Sequence, residues 1–100
     1  MFLLQGKLRA QPGHHATLTD ILLQAARVVE QLRGCNLYAV SHQEGNREDV
    51  FITEIWSSKD AHDLSLEDEE VRKLIRKAMP LLASIPEEGL ALNVLGGHGV

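Results

Sequence analysis

A chain of 100 residues can build one modest core with little surplus for a second, so the sequence predicts a single domain over 1–100. Its 44% hydrophobic and 24% charged residues are an ordinary globular balance, and no segment approaches the roughly 20 apolar residues that would mark a membrane partner. The net charge of -4, with Lys and Arg dispersed, lacks the basic stripe that nucleic acid requires, and Cys35, the only cysteine, excludes an internal disulfide.

The chain opens on Phe2 to Ala10, where Phe2, Leu4, Gly6 and Leu8 alternate with Leu3, Gln5, Lys7 and Arg9, the period of a strand. Met1 to Lys7 has no basic leader and no small-residue cleavage site, and a lone cysteine suits a reducing compartment, which together predict a cytoplasmic protein. Pro12-Gly13 ends the strand. From Thr17, apolar residues at Leu18, Ile21, Leu22, Ala25, Val29 and Leu32 fall on one helical face. Thr17 with Asp20 forms a capping pattern, and Gly34 stands where a helix C-terminal glycine is expected.

Asn36 to His42 has a strand's composition, and Glu44 to Asp49 is a polar connection into Val50 to Trp56, a run rich in β-branched and aromatic residues; the two strands predict a hairpin. Ser57-Ser58 then offers a helix cap. Asp60, Asp63 and the cluster Glu67 to Glu70 precede Val71, Leu74, Ile75, Ala78 and Leu82 at helical spacing, with acidic residues in the first turn as the helix dipole favours. Pro80 should stop that helix near Met79, and Gly89 to Leu95 supplies a last strand.

The order strand, helix, strand, strand, helix, strand predicts an α+β fold, the ferredoxin-like βαββαβ arrangement with both helices on one face of an antiparallel sheet. On the third strand, Phe51, Thr53 and Ile55 share one side and Val50, Ile52, Glu54 and Trp56 the other, so both sides carry apolar bulk. One chain supplies helices for one face only. A second copy packed on the other face gives a homodimer, with a cavity between the sheet and its helices or its partner. Glu54 and Trp56 are expected on the face without helices, in a cavity that the partner encloses.

Three runs, Gly34 to Tyr38, Glu54-Ile55-Trp56-Ser57-Ser58-Lys59-Asp60-Ala61-His62 and Ala78 to Leu82, resemble the antibiotic biosynthesis monooxygenase family. The resemblance implies a dimeric α+β barrel of ferredoxin-like protomers. It also implies quinol-monooxygenase-like chemistry, in which dioxygen oxidises a quinol or phenolic substrate without metal or flavin cofactor; other relatives bind and degrade haem. Such an enzyme must deprotonate a small aromatic molecule, hold the anion in a dry pocket and let it pass an electron to dioxygen.

Trp56 suits the wall of that pocket, with an apolar surface for a ring and an indole N–H for an oxyanion; the alternative is a residue that only packs in the core or at the dimer interface. Glu54 in an apolar cavity would have a raised pKa and serve as base or acid, or would be a structural ion-pair partner. His62 lies near enough to act as a proton acceptor, or is exposed on its helix. Ser65 either offers a hydroxyl to a ligand or caps a helix near Glu67 to Glu70. Tyr38 and His42 share a strand face, and either line the cavity as substrate-binding residues or point outward.

Haem-degrading relatives carry an Asn on the first strand and a His nine or ten residues after the Trp, where this chain has neither: the latter positions are Ser65 and Leu66. Polycyclic-phenol oxygenases have an Asn where Ile52 stands. These departures weigh against haem degradation and leave a non-catalytic ligand-binding or stress-associated dimer as the alternative function. The five histidines show no metal-ligand spacing, so no metal is expected.

Overall fold

The alternation in Phe2–Arg9 forms strand β1, and the apolar stripe beyond the Gly13 turn forms helix α1 (His15–Val29). The hairpin follows as β2 (Cys35–Ser41) and β3 (Asp49–Trp56), then helices α2 (Lys59–Ser65) and α3 (Glu69–Ala78), a 3-10 turn (Met79–Leu81) and β4 (Leu90–Asn93). The computed structural model describes residues 1–100. The sheet order is β2-β3-β1-β4 with all neighbours antiparallel, the ferredoxin-like topology.

Local chemistry explains the boundaries. Ser58 Oγ accepts the Ala61 N–H at 3.1 Å to start α2, and Asp68 Oδ1 accepts the N–H groups of Glu70 and Val71 at 2.9 and 3.1 Å to start α3. Asp68 is therefore the cap, and the expected capping role of Ser65 gives way: Ser65 Oγ–H instead donates to the His62 carbonyl oxygen. Pro80 falls in the 3-10 turn that follows α3, since it has no N–H to continue the α-helical ladder. Thr17 is not the cap of α1, which begins two residues earlier with no side-chain cap.

Gly34 is not the C-terminal residue of α1 either. It adopts φ +92° four residues beyond the last helical C-cap contact, in the turn into β2, where its carbonyl accepts the Ser57 N–H at 2.8 Å. A Cβ there would lie 2.8 Å from both the Ala61 Cβ and the Ser57 Oγ. Gly34→Ala is therefore expected to destabilise the protein by roughly 2 kcal/mol, read from the urea midpoint; a midpoint equal to that of the parent would refute it.

Leu18, Ile21 and Leu22 of α1 meet Leu74 and Ala78 of α3 over Val50 of β3, with Leu8, Val40 and Ile52 at the edge. A second cluster joins Val29, Trp56 and Val71. The helices thus lie on the side of β3 that carries Val50, Ile52, Glu54 and Trp56. This reverses the expected placement of Glu54 and Trp56: the helix-free face carries Phe51, Thr53 and Ile55.

Cross-strand pairing extends that open face into a row. Leu37 pairs with Ile55, Ile55 with Leu3 and Leu3 with Leu92, so one apolar residue from each strand lies side by side across the sheet. No helix is long and apolar enough to cross a membrane.

Candidate active site

Between the helices and the sheet, the core leaves a cavity of about 220 Å³. Around it α3 packs its Leu74–Ala78 end onto one apolar cluster and its Val71 end onto the other, with Glu54 and Tyr38 on the strands beneath. Fourteen of its 18 lining residues are hydrophobic, so its few polar groups stand out. Tyr38, Glu54, His62 and Ser65 are those groups.

Pairing in the hairpin puts Tyr38 directly across from Glu54. Burial, and then the Glu54 carboxylate, push the Tyr38 phenol well above its usual pKa, so it stays protonated as a hydrogen-bond donor. Burial likewise raises Glu54 above the ordinary carboxylate range, against the opposing pull of the Trp56 hydrogen bond and of His62.

Trp56 does not line the cavity. It is fully buried behind Glu54, and its Nε1–H donates to Glu54 Oε1 at 3.0 Å. The indole N–H expected to receive a substrate oxyanion is thus occupied in fixing the carboxylate. The strand's period of two makes this contact by setting the Trp56 and Glu54 side chains on one face.

His62 comes from α2, held against the sheet by Phe2 and Trp56, whose rings lie 5.5 and 6.0 Å from its own. Its Nε2 is 4.0 Å from Glu54 Oε1, and its Nδ1 is 3.0 Å from Asp63 Oδ1. Lys59, at 2.7 Å, and then His62 hold Asp63 below the usual carboxylate range. An ionised carboxylate can only accept, so His62 Nδ1 carries the proton and, in the neutral ring, Nε2 presents a lone pair. The sequence shows Asp63 only as an acidic helix residue, spaced i,i+4 from Lys59, and does not reveal its contact with His62.

Ser65 is buried at the cavity wall. His42 lies elsewhere: it is exposed just past the end of β2, and its ring stacks on that of His15 at 5.6 Å. His42 is still turned to the helix side with Tyr38 and Val40, but it meets the start of α1 at His15 rather than the cavity. No three His, Cys, Asp or Glu side chains cluster so as to hold a metal ion.

The sequence matches the family described as antibiotic biosynthesis monooxygenase over residues 1–77. The chain belongs to the antibiotic biosynthesis monooxygenase family. A protein from Chloroflexus aurantiacus that carries the family's name is 33% identical, with a TM-score of 0.86 over 97% of this chain and 95% of that one. Another from Deinococcus radiodurans is 26% identical, with a TM-score of 0.84 over 97% and 95% of the two chains. A third, from Nitrosomonas europaea, shares the fold at a TM-score of 0.89 with 7% identity, over 96% of this chain and 100% of that one. No curated protein matches.

Burial of the Glu54 carboxylate makes stability depend on pH. Because burial raises the folded-state pKa of Glu54, the stability it contributes is full below the unfolded value of about 4.3 and is lost as pH rises through the folded value. Glu54→Gln keeps an oxygen for the Trp56 N–H and removes the buried charge. The variant is expected to melt higher than the parent at pH 8 and no higher at pH 4; equal melting differences at both pH values would contradict it.

Proposed function

We propose that the protein is a cofactor-independent monooxygenase that oxidises a quinol or phenolic small molecule with dioxygen and works as a cytoplasmic homodimer of single-domain chains. The observation that supports this best is the polar end of the cavity: a proton acceptor, a buried carboxylate and a protonated phenol converge in an otherwise apolar chamber.

His62 Nε2 takes the substrate hydroxyl proton. The imidazolium so formed lies beside Glu54, whose carboxylate favours the charge, while Asp63 holds Nδ1–H and with it the ring's orientation. Tyr38 O–H donates to the resulting phenolate. The apolar walls keep water from solvating the anion, which leaves it electron-rich and able to pass an electron to dioxygen. Recombination of the radical pair forms a carbon–oxygen bond. The O–O bond then breaks: one oxygen stays on the ring as a carbonyl, and the other leaves as water with the hydrogens of the ring C–H and O–H. The substrate supplies all the electrons, so the balance closes without a further reductant.

The homodimer reading is supported by the apolar row on the open sheet face. The test of function is dioxygen uptake by the pure protein with a panel of hydroquinones and phenols, together with mass spectrometry of the product under ¹⁸O₂. Incorporation of one labelled oxygen is expected. No uptake above the uncatalysed rate across the panel would overturn the assignment.

A further inference from the structure

The cavity opens on its apolar side. A cavity of about 150 Å³ holds a benzene ring, and pockets for drug-sized molecules run to about 300–1,000 Å³. The volume of about 220 Å³ here therefore accommodates one ring or two fused rings. The ring hydroxyl belongs at Glu54, His62 and Tyr38, because no other charged or titratable side chain lines the wall.

Four lining residues are exposed, Pro86 together with Leu66, Ile75 and Met79, the last three at 45%, 41% and 50%, so they form the mouth. Ile75 and Met79 are one turn apart, and they interrupt an outer helical face otherwise occupied by Arg72, Lys73, Arg76 and Lys77. Exposed apolar side chains continuous with an apolar chamber need an apolar cover, although Arg72, whose Nε–H donates to the Leu66 carbonyl oxygen at 3.1 Å, stands at the rim.

We propose that the substrate is a one- or two-ring phenol or quinol bearing an alkyl-type chain, its hydroxyl at the Tyr38–Glu54–His62 end and its chain leaving the cavity over Leu66, Ile75 and Met79. This rests on reading the cavity as the substrate site.

The experiment is anaerobic titration calorimetry of the full chain with 4-alkylphenols of increasing length and with a tricyclic phenol, paired with dioxygen uptake on the matching alkylhydroquinones. Affinity is expected to rise about fourfold per added methylene until the chain passes the mouth. Ile75→Lys and Met79→Lys should flatten that rise. Both positions are exposed, and the length series on the parent protein stands without them. Affinity independent of chain length, or tighter binding of the tricyclic phenol, would overturn the proposal. So would a loss of dimer mass in the Lys variants without an effect on chain preference, which would make the mouth a subunit contact. The two readings separate cleanly: length-dependent binding without dioxygen uptake keeps the ligand class and ends the oxygenase, whereas uptake with flat affinities does the reverse.

Discussion

His62→Gln will lower kcat for hydroquinone-dependent dioxygen uptake by about 10²–10⁴-fold, the range that a positioned proton acceptor contributes. Gln is close to His in length and keeps the packing against Phe2 and Trp56, but it cannot take a proton at the position of Nε2. Glu54→Gln should cost about 10²-fold, since it preserves an acceptor for the Trp56 N–H and removes only the charge beside the imidazolium. Asp63→Ala should cost less than either, because half-exposed Asp63 orients the ring without meeting the substrate. KM should change little in all three, as proton transfer and charge stabilisation belong to the transition state. An oxygen electrode gives both constants, and a thermal melt checks that each variant is folded. Activity of His62→Gln within a factor of two of the parent would remove His62 from the mechanism.

The architecture was legible because period and punctuation agree along the chain. Strand alternation in Phe2–Arg9, the apolar stripe of α1, the hairpin and the Pro80 stop all predict the observed elements within a few residues. The grouping of Glu54 with Trp56 was also legible, since a period of two admits no other. Which face received the helices was not, because β3 is apolar on both sides and a carboxylate at Glu54 argues for the face without a helix cover. The deciding signal lay on β1: Phe2, Leu4 and Leu8 are apolar where Gln5, Lys7 and Arg9 are polar, and register pairs Phe2 with Trp56 and Leu4 with Glu54. Burial of the second strand follows from its neighbour, a tertiary fact that no window on β3 alone contains. Asp63 and the mouth residues were hidden for a different reason. Their roles depend on the break between α2 and α3, and that break aims the His62 and Leu66 side chains at the same chamber.

The second large effect is expected on the opposite face. Leu3, Leu37, Ile55 and Leu92 form a continuous row across four strands, and Leu37 and Leu92 are 38% and 44% exposed in the single chain. In the homodimer proposed above, a second copy covers this open face, as a self-complementary two-sheet packing would. Leu92→Asp would place an unpaired carboxylate in that interface at a cost of about 3 kcal/mol, more than a hundredfold in dimer affinity. Sedimentation should give a species of about twice 11.1 kDa for the parent and one near 11.1 kDa for the variant at micromolar concentration. Leu23→Asp is the matched control: Leu23 is 46% exposed on α1, away from the open face, and its substitution should leave the mass unchanged. A parent protein that sediments as a monomer at all concentrations would refute the interface. Because the cavity lies on the helix side of the sheet, the monomeric variant should retain ligand binding, and any loss of dioxygen uptake in it would show that the partner completes the chamber.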